Sequence, residues 1–348
     1  MRVLITGNMG YVGPVAAQEL QRTRPDAVLV GLDLGFFGHC LTGAAFLPER
    51  LYATQHFLDV RRVPDALLEG FDAVVHLAAV SNDPIGNAFE EATRAVNYQS
   101  SVDLARQAKR AGVSHFVFAS SCSLYGAGGD APRTEDAVLT PLTAYARSKD
   151  AAEQELKTLA GDGFTVTSLR FATACGMSPR LRLDLVLNDF VAGAVASGRI
   201  TVLSDGSPWR PLIHVKDMAR AIDWALDRPA ASGGAFLAVN AGSNAWNYQI
   251  RDLAEAVASL VPGTSLSINA DAAPDKRSYR VDFGRFAALA PNHQPLMDLP
   301  ATVAELREGL TAMRFADPNF RESAFMRLKV LTAHMEAGRL DKNLNWIS

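Results

Sequence analysis

Cysteine is scarce in this chain: Cys40, Cys122 and Cys175 are the only three in 348 residues. So few thiols, so widely spaced, exclude a disulfide framework and a cysteine-based zinc site; no metal is expected, and a reducing cytoplasm suits them best. Long apolar runs are missing too, since none approaches the roughly 20 residues that a membrane helix needs. The net charge is only -3, so neither nucleic acid nor an acidic membrane surface would meet a basic field. The opening residues pass straight into a strand, which in this reading leaves no room for a signal or transit peptide. Repeats and low-complexity tracts are absent as well. With 48% hydrophobic residues, the chain has material for one large core or two modest ones.

What is present begins at Arg2. Val3, Leu4 and Ile5 read as a strand buried on both faces. Gly7, Gly10 and Gly13 follow, and Val12, Val15, Ala16 and Leu20 then take up helical spacing. A strand, a glycine turn and a helix in this order can cradle a pyrophosphate: the turn lets backbone approach the phosphates, and the helix N-terminus faces them with free N–H groups. The expected cradle is Gly7, Asn8, Met9, Gly10, Tyr11, Val12 and Gly13, although its first glycine step is wider than in the ordinary G-x-G-x-x-G fingerprint. A second apolar run, residues 27–33, ends at Asp33, about 20 residues beyond the loop, where a carboxylate accepts the ribose diol of adenosine. With no Arg or Lys in the residues that follow it, NAD is preferred over NADP.

Residues 56–60 read as a third strand ending at Asp59 and Val60. Two readings of Asp59 stand evenly: it caps a helix over residues 63–68, or it reaches the adenine. Residues 71–79 read as a fourth strand, and Leu77, Ala78 and Ala79 would let a cofactor lie against the backbone. His76 reads there as a packed residue rather than a catalyst. Residues 90–109 have helical spacing and contain Asn97, and residues 116–121 form a fifth strand. Strands alternating with helices imply right-handed crossovers and a parallel sheet covered on both faces. Ligands in such sheets lie beyond the carboxyl ends of the strands, where Gly7, Asp33, Ala79 and Ser121 all fall.

Tyr145 and Lys149 are four apart on an expected helix and therefore share a face. A nearby ammonium favours a phenolate, so Lys149 is expected to lower the pKa of Tyr145 from its ordinary value of about 10. A phenol tuned in that way can take the proton of a sugar hydroxyl while a nicotinamide takes hydride from the same carbon. Ser121 would hold the reacting oxygen.

These elements resemble the extended short-chain dehydrogenase/reductase family, which includes nucleotide-sugar epimerases, dehydratases and 4-oxidoreductases. The resemblance is carried by Gly7, Gly10, Gly13 and Asp33, HLAA at 76–79, Asn97, SSCSLYG at 120–126, and Tyr145 with Lys149. In the second half it is carried by LRFATACG at 169–176 and DGSPWRPLIHVKDMA at 205–219, and it reaches to about residue 310. It implies an α/β fold: a Rossmann-type doubly wound parallel sheet with a smaller C-terminal α/β substrate lobe. The dinucleotide domain would span residues 1–170, with about 210–245 returning to it, and residues 171–348 would form mainly the substrate lobe and a helical tail. The tail, with Phe320, Phe325, Leu328 and Leu331 at helical spacing, caps the small lobe or joins a subunit interface in this reading.

The resemblance further implies Ser121, Tyr145 and Lys149 as the catalytic trio, Tyr145 and Lys149 also touching the cofactor, and Asn97 as a cofactor-binding residue. A nucleotide-diphospho-sugar substrate would meet Ser121, Thr173, Arg182, Asn188, Arg210 and Arg280. Arg210 is the preferred phosphate ligand, because guanidinium binds a diphosphate through paired hydrogen bonds and this one lies between a glycine turn and an apolar strand. Arg180 and Arg199 read as surface ion pairs, and His214 as structural.

Two positions depart from the family pattern. Family dehydratases usually follow the catalytic Ser/Thr with Asp-Glu, whereas this chain has Cys122 and Ser123. A 4,6-dehydratase is therefore disfavoured. The family's 3,5-epimerases place a cysteine base where Ser123 stands, so Cys122 is one position off and reads as a packed thiol. The expected activity is NAD-dependent oxidation at C4 with 4-epimerisation through a 4-keto sugar. The alternatives are a 4-dehydrogenase or 4-ketoreductase, a dehydratase or 3,5-epimerase, and a non-catalytic NAD-sensing scaffold. A homodimer is expected through the helices near residues 90–109 and 145–159.

Overall fold

The computed structural model describes residues 1–129, 131–272, 275 and 277–347. Its centre is a seven-stranded sheet built from β1 (Arg2–Thr6), β2 (Val28–Asp33), β3 (Thr54–Phe57), β4 (Ala73–His76), β5 (His115–Ser121) and β6 (Thr165–Phe171). The chain then leaves for β7 (Thr173–Cys175), β8 (Arg199–Val202) and β9 (Trp209–His214) before β10 (Phe236–Ala241) completes the sheet, in the order β10-β6-β5-β4-β1-β2-β3. Every neighbouring pair is parallel.

The apolar runs form strands because they are buried on both sides: Val3 and Ile5 join one core, and Leu4 between them joins the other. The winding reverses at β1, which has β2 on one side and β4 on the other. In register, Thr6 lies beside Leu32 and His76, and His76 beside Phe118. Gly7 and Leu77 leave the sheet directly after these residues, and Asp33 and Ser121 end β2 and β5 along the same edge, at the switch point where open α/β sheets bind ligands.

Local expectations needed revision at three places. The third strand is a short edge strand that stops at Phe57, and residues 63–68 form no α-helix. Pro64 lies between two 3-10 turns, Val60–Arg62 and Asp65–Leu68, because it restricts the residue before it and lacks an N–H. The rod over residues 90–109 is broken by a π-turn at Ala95–Gln99, flanked by helices Glu90–Arg94 and Ser100–Arg110. Such one-turn insertions recur at functional sites.

The smaller lobe contains a sheet of β7, β9 and β11 (Asn247–Gln249) and a pair formed by β8 and β12 (Ser265–Ile268). Of the segment expected to return to the first domain, the helix Val215–Asp227 and β10 do so, whereas β9 stays in the small lobe. Arg24 pins that helix to the first domain through Asp223 at 2.6 Å and Asp227 at 2.7 Å. The tail spreads over both lobes: Phe320 and Phe325 pack with the small-lobe core and Arg321 pairs with Asp189 at 2.7 Å, whereas helix Arg327–Glu336 and the residues after it lie mainly on the dinucleotide domain, with Leu331, Leu340 and Leu344 packed in a cluster with Val80, Ile85 and Ala92.

Candidate active site

The glycine turn is shaped by close approach. Gly7 has φ of +71°, and a Cβ there would lie 2.5 Å from the Ala78 nitrogen; one at Gly13 would lie 2.3 Å from the Asn8 oxygen. A larger residue at Gly7 would therefore be strained in its backbone and would also push the fourth strand away. Asn8 is buried and donates to Gln55 Oε1 at 2.6 Å, tying the loop to β3. Gly10 N–H closes the turn onto Gly7 O at 3.0 Å. The helix Gly13–Thr23 opens with Pro14, whose missing N–H costs nothing there, and Val15 N and Ala16 N donate to Val12 O at 3.1 and 2.9 Å.

Asp33 accepts from Met9 N at 3.1 Å and Gly35 N at 2.7 Å, so the carboxylate braces the loop. Burial raises its pKa, and those two N–H groups oppose the rise. The Tyr11 side chain is directed away from the loop: its hydroxyl donates to Gly176 O at 2.6 Å, joining the turn to the small lobe. Val12, Leu77, Ala78 and Ala79 are half-buried along the trough. Glycine turn, Asp33 and small-residue edge fit a dinucleotide pyrophosphate and its adenosine.

At two other expected cofactor positions the side chains have protein partners. Asp59 caps not a helix over residues 63–68 but the 3-10 turn Val60–Arg62, accepting from Arg61 N at 2.9 Å, and its carboxylate pairs with the Arg61 guanidinium at 2.6 Å; Val60 beside it is buried. Asn97 accepts from Val80 N at 2.8 Å, donates to Val80 O at 2.9 Å and donates to Ser148 Oγ at 3.1 Å. It is a strut between the trough and the helix that bears Tyr145, and the π-turn supplies its reach. His76 is structural, as expected. It is hydrogen-bonded to Thr6 and Ser101, and burial pulls its pKa down to about 3.

The helix Ala144–Leu159 starts on Thr143, whose hydroxyl accepts from Ala146 N at 3.2 Å, and it presents Tyr145 and Lys149 to the end of β5. Ser121, whose hydroxyl accepts from Ser123 N at 3.1 Å, lies close enough to Tyr145 to lower the pKa of the phenol. The electrostatics differ from expectation. Burial pushes Tyr145 up to about 12; the Ser121 hydroxyl lowers it, the Asp83 charge raises it and the Arg182 charge lowers it. Burial pulls Lys149 down to about 7, against the opposing pull of Glu153. Lys149 Nζ donates to Ala119 O at 2.7 Å and sits 5.9 Å from the Tyr145 ring centre. Desolvation outweighs ammonium–phenol attraction at that separation, and the cation nearest in effect to the phenol is Arg182.

The expected substrate residues divide. Arg182 is buried, pairs with Asp184 at 2.9 Å and donates to Ser81 Oγ at 2.8 Å. Asn188 is corrected: it is fully buried, accepts from Gly176 N at 2.9 Å and donates to Arg182 O at 2.9 Å, so it shapes the loop from within. Thr173 is half-buried in β7. Arg210 lines a cavity with Ser123, Asp83, Arg277 and Tyr279, and pairs with Asp275 at 2.9 Å. Arg280 stacks on Trp209 at 4.9 Å, its Nε buried without a hydrogen-bond partner among the described residues.

Arg180 is corrected from a surface residue to a fully buried one, bound to Glu49 at 2.7 Å, while Arg199 is exposed. His214 is structural, accepting from Lys216 N at 3.1 Å and bound to Glu305 at 2.7 Å. Cys122 is a packed thiol that donates to Arg170 O at 3.1 Å, and burial pushes its pKa well up. Sequence reasoning missed Asp83 and Tyr279. The only signal for Asp83 was the Asn82-Asp83-Pro84 helix start, with Asn82 in the left-handed region at φ of +77°.

Comparison with known proteins agrees with this geometry. Residues 3–242 match the model of the NAD dependent epimerase/dehydratase family. A UDP-glucose 4-epimerase of Streptomyces lividans is 30% identical over 275 residues, covering 74% of this chain and 80% of that one. Among solved structures, a UDP-glucose-4-epimerase from Stenotrophomonas maltophila with bound NAD and formylated UDP-arabinopyranose superposes with TM-score 0.77 at 24% identity, over 90% of this chain and 99% of that one. The NAD-dependent NDP-hexosamine 5,6-dehydratase TunA gives TM-score 0.77 at 20% identity, over 91% and 99%. With a family match across most of the chain and the glycine turn, Asp33 and Ser121–Tyr145–Lys149 at one sheet edge, this chain belongs to the NAD-dependent epimerase/dehydratase family.

Proposed function

We propose that this protein is a nucleotide-diphospho-sugar 4-epimerase working through a 4-keto sugar. The observation that carries the reading is the meeting of Ser121, Tyr145 and Lys149 beside the glycine turn, in a chain whose relatives include UDP-glucose 4-epimerases. Tyr145 takes the proton of the C4 hydroxyl and later returns it, and Ser121 holds the C4 oxygen by hydrogen bond. Bound NAD supplies a reversible hydride acceptor at C4. Lys149, with Tyr145, meets the nicotinamide ribose. Arg210 and Arg280 face the diphosphate, and Arg182 and Thr173 border the sugar.

The Ser123 hydroxyl at the cavity, without a hydrogen-bond partner among the described residues, is a contact for a sugar hydroxyl. With Cys122 held on a carbonyl and Ser123 unable to act as a strong acid or base, elimination of water has no agent there. The partners we expect otherwise are a second copy of the chain, docked through the paired helices Ser100–Arg110 and Ala144–Leu159, and a cytoplasmic setting that suits three free thiols.

Tyr145→Phe is expected to lower turnover of UDP-glucose or UDP-galactose by at least ~10³-fold, within the range of general acid–base effects, while NAD binding persists. Unchanged turnover in this variant would reject the mechanism. A 4-dehydrogenase or 4-ketoreductase would instead change NADH stoichiometrically with product, and a sensing scaffold would bind NAD without turning over any nucleotide sugar.

A further inference from the structure

We infer that the segment after Arg327 is a strap across the adenosine end of the coenzyme site and sets how slowly NAD leaves. It rests on the coenzyme assignment above and concerns residues beyond the family match at 3–242.

The segment docks where the adenosine would lie. Trp346 Nε1 donates to Leu34 O at 2.9 Å, on the residue directly after Asp33, and its ring meets Phe36 at 5.3 Å. His334 Nε2 is hydrogen-bonded to Phe36 O at 3.2 Å. On the other wall, Arg61 already grips Asp59 and also donates to Asn343 O at 2.7 Å, Leu344 O at 3.1 Å and Asn345 Oδ1 at 2.9 Å. Strap contacts thus reach the segments that follow both β2 and β3, on the side of the switch point where Asp33 would take the adenosine ribose.

The loop that makes these contacts is preorganised. Asp341 accepts from Asn343 N and Asn345 N, each at 2.8 Å. The strap closes the side of the site and leaves it open above: Asp33, Leu34 and Gly35, like Gly7 and Gly10 of the trough, are still partly exposed with it in place. It therefore encloses the adenosine rather than replacing it. A wall closed in this way must open before the adenosine can leave, so the strap acts on coenzyme release through Leu34 and Arg61 and takes no part in the chemistry.

The test is NAD dissociation from the purified holoprotein, followed by exchange against labelled NAD. A variant lacking residues 340–348 is expected to release NAD at least ~10-fold faster. Trp346→Ala should show a smaller increase, with kcat at saturating NAD unchanged and a thermal midpoint confirming the fold. Because the strap meets only the adenosine end, both variants should bind ADP-ribose more weakly and nicotinamide mononucleotide as before. Trp346→Phe, which keeps the ring and loses the N–H, should fall between wild type and Trp346→Ala.

Unchanged release in both variants would overturn the proposal, as would equal weakening of the two ligands, which marks general loosening. Tighter NAD binding without the strap would also overturn it, identifying a plug. A wild-type protein that binds no NAD at all would remove the coenzyme assignment itself.

Discussion

The two reactive side chains sit in protonation states set by burial. Without coenzyme, Tyr145 is a neutral phenol near 12 and Lys149 an amine near 7. A cation placed beside the phenol lowers its pKa, and the nicotinamide of NAD is cationic, so under the proposed mechanism Tyr145 would become a useful base only in the loaded enzyme. The Lys149 value also bears on stability. Its pKa is about 7 when folded and 10.5 in the open chain. Between those values the unfolded state binds more protons, so stability rises with pH across that window and is level below it. In the coenzyme-free protein, Lys149→Met should be more stable than wild type near pH 7, and the difference should shrink steadily as pH approaches 10. Denaturant titrations at stepped pH read this directly, and a difference independent of pH would show that Lys149 is not desolvated.

Among the elements, the helix Ala144–Leu159 carries most of the site, and it is anchored from beneath. Glu153, one turn beyond Lys149, pairs with Arg170 of β6 at 2.7 Å and accepts from Ser168 at 2.8 Å, all in the interior. Breaking a buried pair strands the remaining charge at a cost of about 3–5 kcal/mol. Glu153→Ala should lose stability of that order in urea unfolding and should raise KM less than it lowers the yield of folded protein. Ala144, Ala152 and Leu156 complete the inward face of this helix, and all three are buried.

In the whole molecule, the two lobes are joined by polar contacts that cross the cleft. Arg180 reaches Glu49 at 2.7 Å across 131 residues of sequence, and Thr42 accepts the Leu181 amide at 3.1 Å. These contacts fasten the small lobe to the loop after Asp33. Arg180→Ala should cost about 3–5 kcal/mol by leaving Glu49 buried and unpaired. Hydrogen exchange should then rise in residues 35–50 before the central sheet is affected. Uniform exchange across the chain would mean that the pair does not govern the junction.

The dinucleotide half and the Ser121–Tyr145–Lys149 set were legible from the amino-acid order, because strand, turn and helix are written in short-range patterns and the register of a parallel sheet then brings their ends together. Tertiary structure alone decided which polar groups remain free. Asn188 faces inward to Gly176, Asp59 is held by Arg61, Arg180 is interior, and the end of the tail lies beside Leu34. Each of these outcomes depends on a partner supplied by folding and on the water removed around the pair. Periodicity and motif spacing describe neither, which is why the phenol expected to be acidic is instead raised by its own burial.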